Sequence, residues 1–443
     1  MAPPKTMLPG MMLPRMMIPY FSGWARHMLG QSHVRAMLDH AQVTRAIQAA
    51  VELRVYHDVR GIVALLACWC VPTHTFICIW GEFTITLEDV VALMNLPVTG
   101  NFPATLSTNE KAISEILTAK MHGINKSSSK TCYAQWLKEW WTRDRTPEIP
   151  VDGMLSIAAF LCMWLSRDVF EDSGNLLKPF VIPFAIKMAR GEKIPVGSLF
   201  LGSLFSNLDS LVVYSSISNG FMKIETYANT MFLQALLWER FEKYAPIPRS
   251  ILQGPNADIR YVLSERDNAR IMRWSTKKPR KNIRLTSVLD EESEFNLRPW
   301  VSVPSFISQL ITFNNNEANV ILEYGVNLSD VRRSFILSCT HVYLVSVMHG
   351  EYLVEENNID RAARQMGLDQ CVPDVRKEIP SVDQLKASLD CTHLNEREYM
   401  YPCPTRAVYP TPGYVDFWRL QLDRLFDFIM APQTPAKDLL LMR

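Results

Sequence analysis

Between Ile79 and Gly100 the sequence carries the signals for both ends of one helix, and nothing else in the chain restricts its surroundings as tightly. Thr86 is of the type that caps a helix N-terminus, because its hydroxyl can accept from an amide that has no intrahelical partner. Asp89, three residues on, completes a capping box by reaching back to the Thr86 amide. Ile85 and Val90 flank the cap as a hydrophobic staple, and Glu88 and Asp89 lie against the positive end of the helix dipole. Asn95 suits a left-handed C-terminal position, and Pro97 forbids continuation. The spacing predicts a two-turn helix over Leu87–Met94, entered from an extended, strand-like stretch.

Helical periodicity dominates the first two thirds of the chain. Val34, Met37, Leu38, Ile47 and Val51 predict an amphipathic, bent helix over Val34–Tyr56, and the apolar run His57–Cys70 predicts a core helix. Gly61–Gly81 contains no Asp, Glu, Lys or Arg, yet Pro72, Thr73, His74 and Thr75 cut its apolar run to about half of the ~20 residues a membrane span needs. Further helices are expected within Ser107–Lys130, Tyr133–Thr142, Met154–Phe170, Pro179–Arg190, Val196–Leu208 and Tyr227–Tyr244. Trp136 and Trp140 share one helix face and, with Trp141, are expected in the core rather than on a partner-binding patch. A β-branched stretch at Phe335–Met348 predicts strand, and Asp416–Met430 an amphipathic helix built on Phe417, Leu420, Leu425 and Phe426.

The expected fold is mainly α: one large helical domain with a minor α+β or short-strand region toward the C-terminal half. The expected organisation is a Met/Pro-rich leader over 1–20, a helical core over 21–270, a charged loop over 271–300, a mixed α/β second part of the same domain over 301–430, and a tail over 431–443. In the leader, five prolines with Lys5 and Arg15 interrupt any signal-peptide core. With 46 Lys plus Arg against 45 Asp plus Glu, no global field draws the chain to nucleic acid or an anionic membrane, so any such contact is local. Nine scattered cysteines, an odd number, argue for a reducing compartment and for buried thiols.

Three blocks resemble the plant mobile domain. Gly81-Glu-Phe-Thr-Ile-Thr-Leu-Glu-Asp-Val90 with Leu96-Pro-Val-Thr-Gly100 is similar to the family's hallmark string, and its structural residues here are Gly81, Glu82, Thr86, Asp89, Leu96, Pro97 and Gly100. Phe160–Phe170 resembles the retroelement-associated subgroup, and Leu236-Leu-Trp-Glu-Arg240 resembles the family's Trp-Glu-Arg helix. Phe83, Asn95 and Thr99 depart from the usual residues. The resemblance spans roughly residues 20–430. It implies a domain carried by transposable elements and host genes, linked to silencing of such elements, gene expression and meristem maintenance. Some relatives are fused to, or act with, a plant phosphoprotein phosphatase. Such proteins are often named aminotransferase-like, an activity the family does not establish.

No catalytic constellation is expected. An aminotransferase needs a cofactor lysine, an acid opposite the ring nitrogen and a phosphate cup, and that set is not found. Gly197–Ser203 lacks the Gly-Lys-Ser/Thr ending of a phosphate loop and reads as a tight helix-packing surface. Cys68, Cys70 and His74, Cys339 with His341, and Cys391 with His393 lack zinc-site spacing, so neither metal nor cofactor is expected. No Gly-x-Ser-x-Gly elbow appears, and Asp89, Asp152 and Glu239 are too scattered to be preferred as an acidic metal site. Glu239 is expected to pair with Arg240 or a neighbouring helix.

The charge cluster Arg270–Arg284 holds seven basic residues and no acid. Arg270, Arg273, Lys277, Lys278, Arg280, Lys281 and Arg284 are candidates for nuclear import or nucleic-acid contact, with Trp274 as a base-stacking residue. A solvated loop balanced by Asp290–Glu294 is the alternative. The expectation is a non-enzymatic nuclear interaction module whose partners are other nuclear proteins, among them a phosphoprotein phosphatase. Nucleic acid stays open as a partner, and neither a membrane nor a small-molecule substrate is expected. The rivals are a transposon-derived enzyme, nuclease-like or aminotransferase-like, and an element-encoded passenger.

Overall fold

The structure is a computed structural model that describes residues 19–54, 56–103, 105–124, 131–141, 153–170, 175–218, 228–249, 269–280, 282–302, 320–322, 342–348, 350–374, 379–389, 399–401 and 407–430. It opens with helices α1 (Pro19–Gly30), α2 (Ser32–His40) and α3 (Thr44–Glu52). The single bent helix expected over Val34–Tyr56 is therefore two, because Gln42 takes a left-handed backbone at φ +59° and breaks the run. Helix α4 (Val59–Leu66) is shorter than the His57–Cys70 helix expected, since Trp69–Cys70 leaves it as strand β1.

Strand β1 pairs antiparallel with β2 (Thr75–Cys78), and β2 with β3 (Gly81–Phe83), in the registers Trp69↔Phe76 and Phe76↔Phe83. A three-stranded sheet thus stands well before the C-terminal half, where the sequence predicts the short strands; its β3 is the extended stretch expected ahead of Leu87–Met94, while β1 and β2 are not expected. A short uncharged run is compatible with a buried strand as much as with a buried helix, and here the turn at Pro72–His74 folds it back on itself. Beyond the sheet, α5 (Leu87–Met94) has the bounds its capping signals predict. Asp89 N donates to Thr86 Oγ1 at 3.2 Å, the Thr86 amide donates to Asp89 Oδ2 at 2.7 Å, and Asn95 closes the helix at φ +56°. Ile85 and Val90 are both buried, as is every residue of Leu87–Leu93, so α5 runs through the core.

The helical body continues with α6 (Thr108–Gly123), α7 (Tyr133–Trp140), α8 (Gly153–Trp164) extended by a π-turn over Leu165–Val169, α9 (Ile182–Ala189), α10 (Val196–Ser218) and α11 (Thr230–Arg240). Trp136 is fully buried, with its indole N–H donating to Ala159 O at 2.9 Å, while Trp140 and Trp141 pack against the core partly buried. The short turns Arg270–Trp274, Leu285–Ser287, Glu292–Glu294 and Pro299–Ser302 then replace a plain charged loop. They bury Ile271, Trp274, Leu285, Val288, Phe295 and Trp300.

Strands β4 (Val320–Leu322), β5 (Tyr343–Met348) and β6 (Glu351–Glu356) follow, then a 3-10 run over Ile359–Met366, helix α12 (Val382–Leu389), strand β7 (Tyr399–Tyr401) and helix α13 (Pro412–Met430). β5 and β6 form a hairpin from Tyr343↔Glu356 to Met348↔Glu351, and β4 pairs with β7. The fold is mainly α, with three small antiparallel sheets among the described residues. Residues 335–341 of the expected strand lie outside the described residues. Helix α13 is anchored by the buried Tyr414 and Trp418, the latter donating to Ile79 O at 3.1 Å. Of the apolar residues on which the helix is built, Phe417 is half-buried while Leu420, Leu425 and Phe426 are exposed, because the contact with the body lies near the N-terminal end.

Helix α10 holds the body together. Among the described residues it is the one helix long and apolar enough to cross a membrane, over Val196–Ser215, yet most of that stretch is buried inside this protein. A Cβ on Gly197 would meet Val98 Cγ1 at 2.9 Å and Pro97 O at 3.1 Å, and one on Gly202 would meet Val345 O of β5 at 2.6 Å. The Gly197–Ser203 stretch is therefore the close-packing surface its sequence suggests, with Gly197 N donating to Pro97 O at 2.7 Å and Val347 N to Ser203 Oγ at 3.1 Å.

Candidate functional site

The residues of the hallmark string are tied into the body one by one. Gly81 has φ +142° and Gly100 φ +141°, backbone that a side chain would strain. Glu82 accepts from Thr75 Oγ1 at 2.6 Å and from Arg361 Nη1 at 2.7 Å. Burial pushes its carboxyl above the usual range and outweighs the opposing pull of Arg361. Asp89 divides its oxygens: Oδ2 serves the cap, while Oδ1 accepts from Arg240 Nη2 at 2.6 Å and Trp300 Nε1 at 2.9 Å. Leu96 is buried, and the Pro97 carbonyl receives α10. Arg240 therefore pairs with Asp89, and of the two partners expected for Glu239, Arg240 or a neighbouring helix, the structure supplies the second, the turn Arg270–Trp274.

Glu239 instead gathers the first part of the cationic cluster. Arg270 Nε lies 2.9 Å from it, Arg273 Nη1 3.4 Å and Trp274 Nε1 2.8 Å. Trp274 is 2% exposed and packs at 5.4 Å on Trp238, so its ring is not offered to a base. Lys278, Arg280 and Arg284 are exposed and Lys277 half-buried. Lys278 Nζ sits 5.0 Å over the Tyr56 ring, and Arg280 Nη1 donates to Lys243 O at 3.3 Å. Among the described residues none of these four forms an ion pair, and Lys281 lies outside the described residues. The acidic run Asp290–Glu294 does not balance them: Glu291 and Glu294 pair with Lys243, and Glu292 with Arg364.

A third constellation joins groups far apart in the sequence. His74, at φ +50° in the β1–β2 turn, faces Asp209 of α10 and Glu355 of β6. Its Nε2 is 2.9 Å from Asp209 Oδ2 and 3.8 Å from Glu355 Oε2, and its Nδ1 is 2.6 Å from the Glu356 carbonyl oxygen. Asp209 Oδ1 accepts from Trp69 Nε1 at 2.7 Å, and Glu355 Oε1 accepts from Ser206 Oγ at 2.5 Å and Ser346 Oγ at 3.0 Å. Trp69 and Phe205 flank the imidazole at 5.9 and 5.1 Å. Burial alone pushes His74 down, but the Asp209 hydrogen bond and charge, the Glu356 carbonyl and Glu355 together hold it above its ordinary value. Burial likewise pushes Glu355 up, past the opposing effects of Ser206 and His74.

Cys68 and Cys70 are the neighbours of His74 in the sequence, but its partners in the fold are the two carboxylates. Cys68 is pushed up to about 11 by burial and then by the Asp290 charge, and burial pushes Cys78 and Cys162 higher, so these thiols stay protonated at neutral pH. Asp152, Cys339, His341, Cys391 and His393 lie outside the described residues. His74 and Asp209 are 135 residues apart, and no local spacing signals their meeting. The sequence model of the family described as "Plant mobile domain" matches residues 43–419. No curated protein and no solved structure matches the chain.

Proposed function

We propose, since the chain belongs to the plant mobile domain family, that it is a non-enzymatic nuclear interaction module. On this reading it works by docking partners in transposable-element silencing and in developmental gene expression, including meristem maintenance. The observation that carries the proposal is the cationic stretch between two buried anchors. Trp274 and Leu285 are buried at its ends, while Lys278, Arg280 and Arg284 are exposed and without a described acidic partner. A short cationic segment presented in this way suits the acidic groove of an import receptor. The same cations can meet phosphates, which keeps nucleic acid as a secondary partner.

Two further features support docking over turnover. The hallmark residues Glu82, Thr86 and Asp89 are committed to hydrogen bonds within the body. Helix α13 turns Leu420, Leu425 and Phe426 outward, apolar area of the kind that protein partners cover. Other nuclear proteins, a plant phosphoprotein phosphatase among them, are the proposed partners, with no membrane and no small-molecule substrate. The Phe160–Phe170 block supports a retroelement-associated ancestry, and the aminotransferase-like label implies no activity on this reading. A fluorescent fusion of the full chain in plant cells tests the assignment. Wild type accumulates in the nucleus, and joint Lys277→Ala, Lys278→Ala, Arg280→Ala and Lys281→Ala substitution disperses it; a wild-type protein held at membranes or excluded from nuclei refutes it.

A further inference from the structure

The cluster of His74, Asp209 and Glu355 has no role in the docking reading, and its geometry is that of a ligand set. We propose that it binds one divalent transition-metal ion of the zinc type through His74 Nε2, Asp209 Oδ2 and Glu355 Oε2, three atoms that lie within 4.8 Å of one another.

The orientation of each group supports this assignment. The Glu356 carbonyl can only accept, so at 2.6 Å it fixes a proton on His74 Nδ1 and leaves Nε2 as the atom that faces the carboxylates. Metal-ligating histidines are held in this way, by an outer N–H donated to a carbonyl or carboxylate. Both carboxylates are divided in the same sense. Asp209 Oδ1 is occupied by the Trp69 indole and Glu355 Oε1 by two serine hydroxyls, while Oδ2 and Oε2 point toward Nε2. Among the described residues Glu355 Oε2 has no hydrogen-bond donor, and its ion-pair partner Nε2 is 3.8 Å away.

The two separations from His74 Nε2 suit a small ion. Ligand atoms 2.9 Å apart, each about 2.1 Å from a metal, subtend an angle of about 90° at it, and the 3.8 Å pair subtends about 130°. One nitrogen and two carboxylate oxygens favour Zn2+, Mn2+ or Fe2+ over Ca2+ or Mg2+, which prefer oxygen-only shells. With the Nε2 proton that His74 shares with Asp209 released to solvent on binding, two carboxylates and a neutral imidazole balance a double positive charge. The three ligands come from the β1–β2 turn, α10 and β6, so the ion would tie the N-terminal sheet to the C-terminal hairpin across the long helix.

Full-length protein stripped with a chelator and titrated with Co2+ tests the site. The proposal predicts one saturable equivalent with visible ligand-field bands, no near-ultraviolet thiolate charge-transfer band, displacement by Zn2+, and a melting temperature raised by Zn2+ but not by Ca2+ or Mg2+. Asp209→Asn and Glu355→Gln each weaken binding at least ~10-fold. Absence of saturable binding, a thiolate band that assigns the ion to cysteines, or unchanged affinity in both variants overturns it. Should either variant fail to fold, the wild-type stoichiometry and spectrum still decide the matter.

Discussion

Replacing Asp89 by alanine removes three services at once, and the structure sets their sizes. The capping box loses its acidic member, which costs about 1 kcal/mol. The Trp300 indole N–H loses its acceptor inside the core, which costs about 1–3 kcal/mol. Arg240, 2% exposed beside a fully buried carboxylate, is left as a buried cation, and breaking such a pair costs about 3–5 kcal/mol. These terms overlap, because Arg240 Nη1 keeps the carbonyls of Asn296 and Leu297 as acceptors. The net loss expected is therefore about 4–5 kcal/mol, a large part of the 5–15 kcal/mol by which folded proteins are ordinarily stable. Urea unfolding of wild type, Asp89→Ala, Arg240→Met and the double variant measures it, with a coupling energy of about 2 kcal/mol or more expected between the two sites. An Asp89→Ala loss under about 1 kcal/mol, of the size seen for exposed pairs, would falsify the structural reading of the hallmark motif and free its carboxylate for other work.

Gly202→Ala places a Cβ 2.6 Å from Val345 O, so it should destabilise by about 1–3 kcal/mol and lower the melting temperature measured by circular dichroism. Glu110 gives a pH signature. Burial raises its carboxyl, but the Ser107 amide and hydroxyl together with Lys187 more than offset that and hold it at about 2. A depressed carboxyl stabilises the fold above its ordinary value of 4.5, and that stability is lost as pH falls toward 2. Glu110→Gln should therefore lose about 1–2 kcal/mol at neutral pH, a figure reduced for screening at the half-exposed Arg190, and should show a flatter acid limb in thermal melts between those pH values.

How much of the fold the sequence reveals depends on whether its signals are local. Helix α5 was readable to its terminal residues because cap, staple, left-handed stop and proline all fall within Ile85–Pro97. The Gly197–Ser203 stretch was readable as a packing surface because small residues at helical spacing have few other uses. The break at Gln42 was not, since a non-glycine residue at φ +59° is held there by its surroundings rather than by its own preference. Strands β1 and β2 were hidden for a different reason: their apolar run is as good a core helix by composition, and only the pairing decides. In α13 the periodic face was visible, but which part of it the body covers depends on Ile79, more than 300 residues away, whose carbonyl receives Trp418. The site at His74 depends on three elements meeting in space, and the residues of the cationic cluster divide according to their distance from Glu239, which lies on another helix.

The claim that this chain acts by docking nuclear partners is tested most directly by affinity purification of the tagged full chain from cross-linked plant nuclei, with quantitative mass spectrometry. The account predicts enrichment of a phosphoprotein phosphatase or chromatin proteins, reduced when Leu420, Leu425 and Phe426 of α13 are changed to serine. Recovery of cytosolic or membrane proteins alone, unchanged by those substitutions, would contradict it.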